Sequence, residues 1–403
     1  MAAFSASARS TRVTVLEKND KSGKKIYITG KGRCNFTNVS PVEEYPEKIP
    51  TNPRFLYSAL HGFTPEDAVR FFEESGCPVK VERGNRAFPV SDHASDITRA
   101  LTSRCRENGV EFRYLSDVSG ILTENNAVNG VRLRNGETIP AGAVILATGG
   151  LSYPSTGSSG DGYRMAAELG HTVTETQPSL VPFEIRETFC AELRGLSLKN
   201  VRLTMYEEGK KRAVYSEQGE MLFTHFGVSG PLVLSASAHY HKGKDTRLVV
   251  DLKPALTPEQ LDARLIREFE ENHARDFRNA LGALFPAKLI PVMAFCSGIP
   301  GDTKAGQISR GQRRLFGERI KAFTMTVTGT RGFPEAVITR GGVSVRQIDP
   351  QTMGSRLVDG LYFAGEIIDV DALTGGYNLQ IAWSTGYRAG ETAAEYVCRE
   401  SAE

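Results

Sequence analysis

Leu361-Tyr-Phe-Ala-Gly-Glu-Ile-Ile-Asp-Val-Asp-Ala-Leu-Thr-Gly-Gly-Tyr-Asn-Leu-Gln380 is the stretch from which the fold can be read. Its first four residues, Leu361 to Ala364, are an apolar run with the length and composition of a buried strand. Gly365-Glu366 ends that strand. Gly375-Gly376 then opens a helix expected to run from Tyr377 to about Ala389, carrying Leu379, Ile381, Ala382 and Trp383. A strand, a glycine turn and a helix N-terminus form an anion site, because backbone N–H groups and the positive end of the helix dipole face the ligand. Glu366, Asp369 and Asp371 would repel a bare phosphate. A sugar-rich or ring-bearing cofactor fits better, and a flavin is expected here.

Toward the N-terminus, Arg12-Val-Thr-Val-Leu-Glu-Lys18 is a strand ending in an acid. In dinucleotide-binding folds, an acid that holds a ribose hydroxyl lies about 20 residues beyond a G-x-G-x-x-G loop. Counting back from Glu17 passes the first residue, and residues 1–11 have the character of the helix that follows such a loop. Glu17 is either the ribose acid or the ordinary end of a strand. Gly30-Lys-Gly-Arg-Cys-Asn-Phe-Thr-Asn38 is a glycine-rich loop with two cations and two amides. Its glycines let backbone approach a ligand, Lys31 and Arg33 can neutralise phosphate, and Asn35 and Asn38 can hydrogen-bond a ring edge. The alternative is a surface turn with solvated charges.

Between these ends, helices are expected from Thr64-Pro65-Glu66, a capping signature, and from Ser91-Asp92, with a short strand at Val79–Glu82 between them. Glu111–Leu115 and Val131–Arg134 alternate as strands, with Asn135-Gly136 as a hairpin turn. Ala143-Val-Ile-Leu-Ala147 reads as a strand buried on both faces of a parallel sheet. Thr148-Gly149-Gly150 ends it, and the serine- and glycine-rich stretch 152–161 has the composition of a ligand-covering loop. From about Ser179 to Leu252 the pattern changes to short alternating strands, as in an inserted barrel or sandwich. Pro254 to Phe323 is mostly helical, and strands resume at Thr326. The expected organisation is a first sheet-domain segment over 1–180, a barrel over 181–253, a helical insertion over 254–323, returning barrel strands over 324–342 and a second sheet-domain segment over 343–403.

The bulk properties narrow the class. With 403 residues and Lys+Arg 49 against Asp+Glu 47, the net charge of +2 gives no global signal for nucleic acid or membrane. The 40 glycines are about a tenth of the chain, above average usage, as expected of an α/β enzyme with a large cofactor. None of the 6 cysteines forms a C-x-x-C pair or a zinc-ligand spacing, so a dithiol relay and a structural metal are not expected. No apolar run reaches membrane-helix length and residues 1–11 lack a signal-peptide core, which makes the cytoplasm the expected location. One local asymmetry is present. Residues 303–321 carry Lys304, Arg310, Arg313, Arg314, Arg319 and Lys321 against only Glu318, which makes either an RNA-binding patch or a solvated helix face.

Four separated motifs point to a family: Gly30–Asn38, Leu222-Phe-Thr-His-Phe-Gly-Val-Ser-Gly-Pro231, Gly341-Gly-Val343, and Ala364-Gly-Glu-Ile-Ile-Asp-Val-Asp371 with Thr374-Gly-Gly-Tyr-Asn-Leu-Gln380. Together they resemble the bacterial HI0933-like flavoproteins, also described as BaiN/RdsA-like NAD(P)/FAD-dependent oxidoreductases. The likeness runs from about residue 12 to 396. It implies an α/β, Rossmann-like FAD domain of the two-dinucleotide-binding type made of both chain ends, with inserted β-barrel and helical domains. Carried over position by position, it implies that Glu17 and Lys18 meet the adenosine ribose and that the Val118 backbone flanks the adenine. Thr148-Gly149 would pass beneath the adenosine half, and Lys31, Arg33, Cys34 and Asn35 would run past the diphosphate and the flavin. Gly365-Glu366 would meet the ribityl–diphosphate region. Gly376, Tyr377, Asn378 and Leu379 would bring backbone N–H groups to the flavin pyrimidine end, where a helix N-terminus stabilises the anionic reduced ring. Family members begin with a strand and a G-x-G-x-x-G loop, whereas this sequence starts inside the first helix. The expectation is therefore a mis-set start, with the strand and loop encoded upstream.

The function implied is an FAD oxidoreductase passing reducing equivalents between NAD(P)H and a small acceptor. His225 is the best titratable candidate for catalysis and is otherwise a structural histidine; Tyr377 is the second candidate. Two alternatives remain. One is flavin-dependent reduction of a uracil base in ribosomal RNA, docked through 303–321. The other is a truncated, non-catalytic form with weak FAD binding.

Overall fold

The computed structural model describes residues 1–9 and 11–400, and its chain divides into two compact units, Met1–Ser179 with Gly332–Glu403, and Leu180–Arg331.

In the first unit the apolar run Leu361–Phe363 is a strand, buried at every position, and it pairs in parallel with Val144–Leu146. A second parallel pair joins Thr14–Leu16 to Glu111–Arg113. Val118–Glu124, Ala127–Leu133 and Thr138–Pro140 form an antiparallel meander. Thr37–Asn38, Arg86–Pro89 and Val79–Glu82 make a third small sheet. The helix that opens at Tyr377 runs to Glu400 rather than stopping near Ala389. Gly390 does not end it. A Cβ there would lie 2.1 Å from the carbonyl oxygen of Ala2, so this glycine exists to let the short helix Ala2–Ser7 press against the long one. One side of the long helix contributes Ile381 and Ala389 to the core around Leu146, Leu361 and Phe363. Trp383 enters a second core with Phe36 and Phe72, its ring 5.8 Å edge-on from Phe72 and its indole N–H donating to the Phe36 carbonyl at 2.8 Å. That hydrogen bond removes the cost of burying a polar N–H.

The second unit is a closed six-stranded barrel, in the order Phe183–Ile185, Gly227–Ser229, Tyr215–Phe223, Ser197–Glu207, Thr246–Asp251, Phe323–Thr330. Closure leaves no open sheet edge. The helical residues expected as a separate insertion share a core with the barrel: Leu261, Leu265, Phe269, Phe277 and Phe316 cluster with Leu203, Met205, Leu248 and Val250. Capping boxes at Thr257 and Ser309 start the helices Pro258–Glu271 and Arg310–Lys321.

The expected returning segment 324–342 divides between the units. Phe323–Thr330 closes the barrel. Ile338–Arg340 instead pairs antiparallel with Gln177–Ser179 in the first unit, where Ile338 and Thr339 are buried. Gly332, at φ 74°, and Pro334 interrupt the strand pattern between them.

Candidate cofactor site

At its C-terminal end the site is built on the turn before the long helix. Gly376 has φ 100°, and a Cβ there would lie 2.4 Å from the carbonyl oxygen of Thr37 and 2.9 Å from Asn35 Oδ1. Only glycine lets the Asn35–Asn38 segment come so close. The neighbouring contacts fix it there. Thr37 Oγ1 donates to Gln380 Oε1 at 2.6 Å, Gln380 Nε2 donates to the Phe63 carbonyl at 3.0 Å, and Asn38 Nδ2 donates to the Gly375 carbonyl at 2.9 Å. Asn35 Oδ1 is buried with no hydrogen-bond partner. It is an acceptor held beside the N-terminus of a 24-residue helix, whose first backbone N–H groups have no intrahelical acceptor.

Asn378 and Tyr377 hold this turn rather than project from it. The Asn378 side chain accepts from the Ala372 amide at 2.9 Å and donates to the Ala372 carbonyl at 2.7 Å. Tyr377 is buried, edge-on to Tyr45 with ring centres 5.0 Å apart. Leu379 is half-buried against the core of Phe36 and Trp383.

In the middle, three chain segments converge on Glu366. Lys25 forms an ion pair with it, Ser152 Oγ donates to its Oε1 at 2.7 Å and the Thr339 amide donates to the same oxygen at 2.8 Å. Lys25 also donates to Ser152 Oγ at 2.5 Å. Lys25, Ser152 and Thr339 were not singled out in the sequence. The signal for Lys25 was its place in Gly23-Lys24-Lys25, just ahead of the glycine-rich loop.

At the other end the side chain of Glu17 accepts from the Asn19 backbone at 2.9 Å and side chain at 2.8 Å. Lys18 pairs with Asp161 at 2.7 Å and also donates to Ser159. Thr148 and Ala147 are exposed at the end of the strand Val144–Leu146. A Cβ on Gly162 would lie 2.0 Å from Thr148 Oγ1, so the helix Asp161–Glu168 starts directly against that strand end. Gly149 has φ 71° and turns the chain there. Val118 begins its strand, half-buried.

The Gly30–Asn38 loop separates into two roles. Lys31 is exposed, in the left-handed region at φ 58°. Arg33 is engaged: it pairs with Glu82, its Nε donates to Asp92 Oδ1 at 2.8 Å, and its guanidinium lies 4.2 Å from the centre of the Phe88 ring. Hydrogen bonds from Arg33 to Glu82, and from Lys80 and then Arg33 to Asp92, hold both carboxyls below their usual range. Arg33 therefore anchors the loop. Burial pushes the Cys34 thiol up to about 12, so it remains protonated and unreactive near neutral pH. His225 lies exposed in the second unit, edge-on to Phe226 at 5.0 Å.

The sequence matches the HI0933-like protein Rossmann domain over residues 1–392. The chain belongs to the HI0933-like family. This is a family of flavin-dependent oxidoreductases. Among curated HI0933-like relatives, a 3-dehydro-bile acid delta(4,6)-reductase of Clostridium scindens is 32% identical over 97% of this chain and 95% of its own length. A ribosomal RNA dihydrouridine synthase of Escherichia coli is 31% identical over 94% of this chain and 91% of its own length. Among solved structures, the Escherichia coli quinol–fumarate reductase subunit FrdA superposes with a TM-score of 0.51 at 16% identity, covering 99% of this chain and 69% of that one. At that identity the likeness is one of fold. No helix among the described residues is long and apolar enough to cross a membrane.

Proposed function

We propose that this HI0933-like chain is an FAD-dependent reductase that takes hydride from NAD(P)H and delivers it to a carbon–carbon double bond conjugated to a carbonyl. The observation that carries the FAD assignment is the buried, unpartnered Asn35 Oδ1 beside Gly376 and the helix N-terminus. An acceptor next to several N–H donors suits the edge of a ring that presents both N–H and C=O groups, and Gly376 is what lets the Asn35 segment sit beside that helix N-terminus. The residues present therefore fit a flavin.

In this reading Asn35 and the backbone of Gly376–Leu379 meet the ring, and the exposed Lys31 supplies positive charge for the diphosphate. Gly365-Glu366 lies along the ribityl chain, Thr148-Gly149 and Val118 lie along the adenosine, and Glu17 and Lys18 meet its ribose. Arg33 and Cys34 support the loop. When bound, FAD supplies the hydride chemistry. Saturating the double bond also requires one proton, delivered to the second carbon by a general acid or by water.

The acceptor class comes from chemistry shared by the relatives' names. A delta(4,6)-reductase of a 3-dehydro bile acid and a dihydrouridine synthase both saturate a double bond conjugated to a carbonyl. The purified chain is expected to show the two visible absorption bands of flavin, bleached by NADH or NADPH and restored by an enone or a uridine-containing RNA. A colourless protein that releases no flavin on denaturation overturns the assignment.

A further inference from the structure

The helix run that looked basic in the sequence is largely neutralised in the fold. Lys304 pairs with Asp276, Arg313 with Asp262, Arg314 with Glu318 and Lys321 with Asp251. A cluster of exposed cations without carboxylate partners lies elsewhere in the second unit, at one end of the barrel. The strands Ser197–Glu207 and Thr246–Asp251 run antiparallel with Tyr206 opposite Arg247 and Glu207 opposite Thr246. Their register brings together two loops about 30 residues apart in sequence, Glu208–Ala213 and His241–Asp245.

Glu207 and the backbone join the loops. Glu207 is buried and accepts from Lys210 Nζ at 3.0 Å and His241 Nδ1 at 2.6 Å, one partner from each loop. The Glu208 amide donates to the Asp245 carbonyl at 2.9 Å. Burial opposes the ionised form of Glu207, but these hydrogen bonds outweigh it and hold the carboxyl below its usual range. It is therefore an internal anion that places cations around itself.

The two loops present Lys210, Lys211, Arg212, Lys242 and Lys244 against Glu208 and Asp245, with Glu207 and Arg247 in the strands beside them. This excess of three positive charges exceeds the net +2 of the whole chain. Lys211, Arg212, Lys242 and Lys244 are exposed, and among the described residues no carboxylate pairs with them. Beside them Tyr206 is 37% exposed, with the Arg247 guanidinium 5.6 Å from its ring centre. Clustered unpaired cations neutralise phosphates, and an exposed aromatic ring with an arginine on its face is a stacking platform for an unpaired base.

We propose that this end of the barrel is an RNA-docking surface: Lys211, Arg212, Lys242 and Lys244 contact backbone phosphates and the Tyr206–Arg247 pair receives a base. The inference rests on the reductase reading in one respect, since it assigns RNA, rather than a free small molecule, as the carrier of the reduced base. A binding assay on the full chain tests it independently of flavin, with fluorescently labelled ribosomal RNA transcribed in vitro and a series of salt concentrations. Replacing Lys211, Arg212, Lys242 and Lys244 together by glutamine is expected to weaken binding at least tenfold. Each lost contact lowers the slope of log affinity against log salt by roughly 0.7 to 0.9. Tyr206→Ala is expected to weaken binding several-fold with the slope unchanged. Replacing Arg310 and Arg319 in the helix is expected to change binding less than twofold.

No RNA binding by the intact, folded chain overturns the surface, as does a loss confined to the helix variant. Binding to phosphatidylserine vesicles but not to RNA assigns the surface to membranes and likewise overturns it. A flavin-free chain that binds RNA through these loops supports the surface while removing the reductase reading. A flavin-loaded chain that ignores RNA does the reverse.

Discussion

In the front half of the segment Leu361–Leu379, Glu366 accepts from a lysine, a hydroxyl and a backbone amide, and its charge is fully answered by protein. Five residues on, Asp371 is wholly buried, accepts one hydrogen bond from Ser179 at 3.2 Å on Oδ2 and leaves Oδ1 without a partner. Burial raises the carboxyls of both Asp371 and Asp369. One half of the segment is thus organised by an ion-paired acid and the other by acids pushed toward their neutral form. The difference separates their tasks. The front half ties its own strand end to three distant segments, whereas the back half, in the proposed flavin site, would keep negative charge away from the ring. An anionic reduced ring would be repelled by ionised aspartates near it and favoured by a helix N-terminus.

The largest effect is expected at the point where the back half admits no side chain at all. Gly376→Ala places a methyl 2.4 Å from the Thr37 carbonyl and holds a non-glycine residue at φ 100°. Strain of this kind costs about 1–3 kcal/mol before the clash is counted. Loss of flavin from the purified protein together with a lower Tm is the expected outcome. A variant that keeps both would show that the turn relaxes freely and is not the ring cradle.

Smaller losses are expected in the front half, where the Lys25 and Glu366 side chains remain 24% and 15% exposed. Removing one partner of a buried pair costs about 3–5 kcal/mol, and partial exposure lowers the expectation here to about 1–3. Lys25→Met and Glu366→Gln should each destabilise by that amount in urea unfolding. The double variant should recover part of the loss, because neither charge is then left alone. Strict additivity would mean that the two groups do not depend on each other and that the contrast with Asp371 is only one of burial.

Much of this contrast was legible in the sequence. The apolar run Leu361–Ala364 and the glycine pair before Tyr377 marked a strand, a turn and a helix because their backbone requirements are local. What was not legible depended on partners distant in the chain. Arg33 reads as a phosphate ligand until Glu82 and Asp92 fold onto it, and Lys321 reads as part of a basic run until Asp251 meets it. The reverse holds at the barrel end, where neither Lys210–Arg212 nor Lys242–Lys244 is long enough to stand out alone. Strand register, which alternating short strands do not specify in advance, makes them one surface. The helix end expected near Ala389 fails for the same reason: the next residue, Gly390, packs against Ala2, a partner distant in the chain.

The finest test of the comparison is the pH dependence of Asp371. Its carboxyl is raised by burial, which outweighs the polar influence of Thr51 and Ser179 and the favourable charge of Arg340, with Asp369 adding to the rise. The folded state therefore holds a proton that the unfolded chain releases near its ordinary value of about 4. Below that value both states are protonated and the stabilising contribution is fully present. As pH climbs from there through the raised folded value, the contribution is lost, because ionisation is easier in the unfolded chain. Asp371→Asn removes this titration. The stability of the variant relative to the parent should rise with pH over that window and level off above it, measured as urea midpoints at fixed salt. If the variant is instead less stable by the same amount at every pH, Asp371 does not titrate differently on folding. The back half would then be organised by a charge, as the front half is, and the division of labour between Glu366 and Asp371 would have to be abandoned.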